Sequence, residues 1–248
     1  PDDPSSFRPL CMLDSEGKNM ERIVADRLEQ YIDPQLSEYQ FGFRKGKSTI
    51  DALELVTNIA KEAISGKRWE GGSKKYCLIV TLAFNSARWD RVLDALDKMG
   101  VPFYLRRMVR SYFSDRLLHY EMEQGPAVHR VTGGVPQGSV LGPLLWNVMY
   151  DGLLHLEVPE NTTLVAFADD VAVVLVAKHL EELQAALSTI IRRIRPWMCS
   201  VDLFLDEHKT EALLVSSRKK METITIRVGD HDIGSQYPVP CSSLGCPT

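Results

Sequence analysis

Two carboxylates stand side by side between two apolar runs, and this arrangement constrains the chain more than any other feature. Residues 163–168 and 171–176 are each short, apolar and rich in β-branched side chains, the pattern of buried strands. Asp169 and Asp170 lie between them, so the segment predicts a β-hairpin with acid at its tip. A turn chosen for geometry alone would favour Asn-Gly or Asp-Gly, because a type I′ turn needs positive φ at both central positions. Two adjacent negative charges also repel. A divalent cation relieves that repulsion, and Mg²⁺ takes carboxylate and phosphate oxygens while keeping some of its water. A solvated acidic turn has the same local pattern, so the choice between them rests on the rest of the chain.

The 248 residues carry 44% hydrophobic and 25% charged side chains, enough to bury a sizeable core as one large domain or two subdomains. The net charge of −4 means that any nucleic-acid site must be a local basic patch. Candidate patches are Arg106, Arg107 and Arg110, then Arg192, Arg193 and Arg195, then Arg218, Lys219 and Lys220, each of which also fits a solvated face. The five cysteines are scattered and odd in number, which predicts reduced thiols and an intracellular protein. No apolar run is long enough to cross a membrane and no secretory signal opens the chain, so no membrane partner is expected. The start at Pro1, without Met, leads to the expectation of a fragment.

Along the chain, apolar periodicity predicts helices over 16–32, 49–64, 89–99, 104–113, 140–154 and 180–197. In the first of these, Met20, Ile23, Val24, Leu28 and Tyr31 fall on one face. Ser48 or Thr49 is the candidate N-cap of the second. Strands are expected over 76–82, 201–205, 212–216 and 223–228, with a hairpin over 117–123 and 127–132. Helices and strands do not alternate regularly, which is an α+β pattern without internal repeats.

Several stretches, taken together and in order, resemble one family. They are Phe7-Arg-Pro-Leu, Gln40-Phe-Gly-Phe-Arg-Lys-Gly-Lys-Ser-Thr, Ala83-Phe-Asn-Ser-Ala, Gly134-Val-Pro-Gln-Gly-Ser-Val-Leu-Gly-Pro-Leu, Phe167-Ala-Asp-Asp and His208-Lys-Thr-Glu. The chain resembles the reverse transcriptase of non-LTR, LINE-like retrotransposons of arthropod type over nearly all its length. A lone Ala-Asp-Asp is a weak signal. Pro136-Gln-Gly-Ser followed by Phe167-Ala-Asp-Asp is a strong one.

The resemblance implies a right-hand polymerase, with a palm of antiparallel sheet and packed helices and partial fingers. It implies template-directed addition of dNTPs to a DNA primer on an RNA template, two Mg²⁺ ions and a nuclear location. Two metals about 3.5–4 Å apart clamp the attacking and leaving oxygens of such a transfer. By resemblance Asp169 is the more direct metal ligand and Asp170 the supporting one. Gln137 corresponds to the glutamine against the incoming nucleotide, and Gly138 lets the backbone approach the base pair because it has no Cβ. Arg8 corresponds to the fingers arginine that holds the triphosphate with its guanidinium fork. Phe84 corresponds to the aromatic that crowds a 2′-OH, Lys209 to the lysine that protonates the departing pyrophosphate, and Arg44 and Lys47 to template-backbone contacts. Each of these also fits an ordinary surface or core side chain. The implied division is fingers over 1–75, a palm strand over 76–88, helices and a hairpin over 89–133, the palm with its catalytic hairpin over 134–240, and the start of a primer-grip turn over 241–248.

One departure bears on chemistry. The family strand reads Thr-Leu-Asp-x-x-Asn-Ala-Phe, whereas this chain reads Thr81-Leu82-Ala83-Phe84. The Asp that would bridge both metals is absent, and the next acid, Asp90, follows Trp89 at the start of a helix. At most weak, single-site Mg²⁺ binding by Asp169 and Asp170 is therefore expected, with impaired or absent polymerase activity. The alternative is a non-enzymatic remnant that keeps the fold and weak nucleic-acid binding. Thumb and endonuclease regions are expected to be missing from this fragment.

Overall fold

The computed structural model describes residues 13–65, 75–82, 88–122, 125–134, 138–203, 205, 209–216, 224–228, 231–234 and 236–239. Chain contacts divide it into two compact units that interleave along the sequence. One is Pro1–Leu36 with Ser86–Asp151, and the other is Ser37–Asn85 with Gly152–Thr248.

The second unit is built on a five-stranded sheet. Its strands are β1 (Tyr76–Leu82), β4 (Thr162–Phe167), β5 (Asp170–Ala177), β6 (Glu211–Val215) and β9 (Gln236–Val239), in the order β4-β5-β1-β6-β9. β1 is antiparallel to both β5 and β6, whereas β9 adds parallel to β6. Alternation along the strands sends side chains to two faces. Cys77 of β1, Val165 of β4, Val174 of β5 and Val215 of β6 form one buried face. Helix α2 (Thr49–Ser65) covers it with Ala52, Ala60, Ala63 and Ile64. The small alanines let the helix backbone approach the sheet closely. Burial at this face pushes the Cys77 thiol up to about 12, so it behaves as a small apolar group. The alternate residues Leu78, Val80, Leu82, Val171, Val173 and Leu175 are also fully buried, and helix α6 (Leu180–Ser200) packs on β5. A separate ribbon pairs β7 (Thr225–Val228) with β8 (His231–Gly234).

Ser48 is the cap of α2. Its hydroxyl accepts from the Asp51 amide at 3.2 Å, while the Asp51 carboxylate accepts from the Ser48 amide at 2.6 Å, a reciprocal capping box. These bonds to Ser48, side chain first, hold the Asp51 carboxyl below its ordinary range. Residues 201–203 of the expected strand over 201–205 do not form one. α6 runs on to Ser200, and Asp202 takes φ +55°. The Leu203 amide then reaches back to the Met198 carbonyl at 3.0 Å. That is a helix C-cap with aspartate where glycine is usual, and it uses the residues assigned to the strand.

The first unit holds α1 (Ser15–Ile32), α3 (Trp89–Lys98), α4 (Phe103–Phe113), the antiparallel pair β2 (Leu117–Met122) and β3 (Gly125–Arg130), and most of α5 (Leu141–Leu154). The buried face of α1 is Glu21, Val24, Ala25, Leu28 and Ile32. Met20, Ile23 and Tyr31 are exposed, so the face lies one position round from the expected one. The reason is a buried carboxylate, described below, that apolar periodicity cannot register. Among the described residues no helix is long and apolar enough to cross a membrane.

The close seat of α2 is testable. Ala60→Leu adds volume where the sheet leaves none, and should cost about 1–3 kcal/mol in chemical denaturation.

Candidate active site

The acidic hairpin forms, with its tip one residue earlier than expected. Phe167 pairs with Asp170, leaving Ala168 and Asp169 as the two-residue loop. Only Ala168 of the two has positive φ, at +58°. That is the signature of a type II′ turn, whose first central position is ordinarily glycine. Asp170 is therefore the first residue of β5, and the two acids sit in different backbone environments. Both carboxylates are exposed. The Asp170 carboxyl is held above its ordinary value, first by partial burial and second by the negative charge of Asp169. A cation beside the pair would reverse that shift.

β1 brings its C-terminal end to this tip, because Leu82 pairs with Val171, the neighbour of Asp170. The sequence from Ala83 to Ala87 contains no acid. Among the described residues no group of three or more His, Cys, Asp or Glu side chains could hold a metal. Among the described residues, Asp169 and Asp170 are the carboxylates that this turn offers to a hard cation such as Mg²⁺.

Lys209 lies at the same end of the sheet. β6 begins at Glu211, which pairs with Thr81 near the end of β1. Lys209 precedes it by two residues, and its side chain is exposed. β5 and β6 flank β1, so their backbones are about 10 Å apart.

Arg44 and Lys47 fold back on their own loop. Arg44 donates to the Ser37 carbonyl at 2.7 Å. Lys47 donates to the Glu38 carbonyl, and its ammonium lies 4.8 Å from the centre of the Phe41 ring. The other basic clusters are also partly engaged: Arg106 pairs with Asp97, and Arg193 donates to the Glu157 carbonyl. Arg8, Phe84 and Gln137 lie outside the described residues, as do Arg218, Lys219 and Lys220.

In the first unit, the loop that carries Gly138 is anchored on both sides. Before it, Gly133 bridges Arg88, and the Trp89 indole donates to the Gly134 carbonyl at 2.7 Å. Trp89 is itself stacked on Phe113, with ring centres 5.0 Å apart. After it, the buried Glu21 carboxylate accepts from the Val140 amide at 2.6 Å, and the Ser139 hydroxyl accepts from the Gly142 amide at 2.9 Å. These bonds satisfy two amides at the start of α5, where a carboxylate also meets the positive end of the helix dipole. Tyr112 lies in the same buried region; burial first, then the nearby Glu21 charge, push its phenol up. Gly138 has φ +88°, so its backbone requires glycine independently of any approach to a base pair. Glu21 and Trp89 are absent from the sequence-based site. A charged residue on an otherwise apolar helix face was the available signal for Glu21.

The comparisons agree with this architecture. A family model described as reverse transcriptase (RNA-dependent DNA polymerase) matches residues 1–245. A Pol polyprotein from the type-1 retrotransposable element R1 of Bradysia coprophila is 33% identical over 86% of this chain and 21% of its own length. The RNA-directed DNA polymerase from the mobile element jockey of Drosophila melanogaster is 30% identical over 88% of this chain and 24% of its own length. This chain therefore spans about a fifth to a quarter of these relatives. Among solved structures, apo telomerase from Candida tropicalis truncated of its C-terminal domain is similar, with a TM-score of 0.54 and 10% identity over 85% of this chain and 42% of that one. That likeness shows the polymerase-type α+β fold.

Two outcomes follow. Asp170 has its carboxyl raised in the folded chain above the unfolded value of about 3.8. It therefore contributes stability below that value, and the contribution is lost as pH rises through the folded one. Asp170→Asn should raise the melting temperature of the metal-free chain at pH 7, and the gain should vanish by about pH 3. In the first unit, Glu21→Ala leaves the Val140 amide without its acceptor and should cost about 1–3 kcal/mol in denaturant titration, with Glu21→Gln costing less.

Proposed function

The chain belongs to the reverse transcriptase (RNA-dependent DNA polymerase) family, among the non-LTR retrotransposon members, and on that premise we propose that it is the part of such an enzyme that binds primed template and the incoming dNTP. The observation that carries the reading is the acidic turn at the end of β1, with Lys209 at the same end of the sheet. Asp169 and Asp170 would hold Mg²⁺, which when bound neutralises charge on the transferring phosphoryl group. Asp169, on the open turn, is the freer of the two to meet a ligand. Asp170, at the head of β5, is restrained by its ladder with Phe167. Lys209 would donate a proton to the leaving pyrophosphate. Arg44 and Lys47 would face the template backbone after exchanging their loop carbonyls for phosphate oxygens. By resemblance to the family, Gln137, Gly138, Arg8 and Phe84 would contact the incoming nucleotide.

Catalysis in this chain is limited by the missing acid. One carboxylate pair cannot neutralise both the attacking and the leaving oxygen, and each lost electrostatic partner typically costs about 10²–10³-fold in rate. The absence of any acid between Leu82 and Arg88 favours a second reading, in which the chain keeps the fold and nucleic-acid binding without turnover.

The test supplies primed RNA template, dNTPs and Mg²⁺ to two versions of the longer protein, one with the strand as it stands and one with Asp-x-x-Asn inserted between Leu82 and Ala83. The expected result is extension at least about 10²-fold faster with the insertion. Equal rates would remove the missing carboxylate as the cause. Absence of template binding by either version would remove the reading altogether.

A further inference from the structure

The turn that carries Asp169 has an amide that the hairpin itself cannot satisfy. In a two-residue loop the ladder closes between the flanking residues, here Phe167 and Asp170. The Ala168 amide is left over, and Ala168 is buried at 7% exposure. A buried amide requires an acceptor. It finds one in Gln40, whose carboxamide oxygen accepts from Ala168 at 3.3 Å and from Gly42 at 2.9 Å. Gln40 is itself 0% exposed.

The backbone around Gln40 is docked to the same hairpin. Gln40 forms a parallel bridge with Ala166 on the outer edge of β4. The Phe41 amide donates to the Ala166 carbonyl at 2.8 Å, and the Ala166 amide donates to the Tyr39 carbonyl at 2.9 Å. Gly42 then passes so close that a Cβ there would lie 2.1 Å from the Ala168 nitrogen. That distance to backbone admits only glycine.

We propose that Gln40 is a positioning residue for Asp169: with the close pass of Gly42, its carboxamide oxygen holds the Ala168 turn and so sets the direction in which the Asp169 carboxylate is presented. The Ala168 peptide sits at φ +58°, a conformation that alanine does not hold by preference. The hydrogen bond that the Ala168 amide donates to Gln40 fixes the nitrogen end of that torsion, and Asp169 is the next residue along. The segment around Gln40 and the acidic hairpin therefore behave as one rigid piece. A ligand held by Arg44 or Lys47, a few residues beyond Gln40, would be mechanically coupled to the carboxylate that receives the metal. This inference rests on the reading of Asp169 as a metal-holding carboxylate.

The experiment compares the 248-residue chain with its Gln40→Met variant, which keeps the length of the side chain and removes the acceptor. Amide hydrogen exchange is followed by NMR, and Mn²⁺ affinity by titration. In the variant the Ala168 amide should exchange at least about tenfold faster, with Val80 and Val173 in the sheet unchanged, and Mn²⁺ should bind about tenfold more weakly. An unchanged Ala168 exchange rate in the folded variant would overturn the proposal. So would a rate in the unsubstituted chain no slower than in an unstructured peptide, a result that stands even if the variant fails to fold. If neither protein binds Mn²⁺, the metal reading of Asp169 falls, while the exchange rates still decide whether Gln40 holds the turn.

Discussion

β1 is hydrogen-bonded along both edges, and the chemistry of the second unit hangs from its two neighbours. β5 on one side begins with Asp170, and β6 on the other begins just after Lys209. Because both pairings are antiparallel, the first residues of β5 and β6 meet the last residues of β1. One strand direction thus collects an acid pair and a lysine at a single end of the sheet. Three features support that strand and its neighbours: alanines of α2 on one face, the packing of α6 on β5, and the docked edge of β4.

Two buried polar side chains share a task in different units. Glu21 satisfies an amide at the start of α5, and Gln40 satisfies one in the Ala168 turn. Both lie on segments remote in sequence from the backbone they serve. Both serve loops where regular secondary structure stops and amides lose their partners. A buried polar group is costly unless it is bonded, and each of these two is bonded to a backbone amide. They make each loop depend on a second part of its own unit, and give the loop a definite conformation that its own residues do not enforce.

The hairpin tip also explains why two adjacent acids are tolerated without a glycine. The strained position falls on Ala168, so Asp169 occupies the open corner of the turn and Asp170 the first rung of the ladder. Partial burial, and after it the opposing charge of Asp169, raises the Asp170 carboxyl. The result is an electrostatically uneasy pair at the turn that meets the end of β1.

Much of this was already written in the local pattern of residues. The acidic hairpin, the central strand over 76–82, an α2 cap at Ser48 or Thr49 and the long apolar stripe of α6 all follow from periodicity and capping chemistry, which act over a few residues. The ordered motifs likewise identified the family, and the absence of an acid after Leu82 is a matter of sequence alone. Tertiary structure decided what local rules cannot see. It moved the turn to Ala168, because the Tyr39–Phe41 edge and Gln40 supply bonds that stabilise a positive φ there. It turned α1 so that Glu21 faces inward, because a distant amide needed its carboxylate. It put a helix cap over 201–203, the first part of the expected strand, because the carbonyls at the end of α6 needed donors. It also set β9 parallel to β6, a pairing that no local period encodes. In each case the deciding partner lies beyond the local window or is a backbone group, and neither leaves a mark on hydrophobic periodicity.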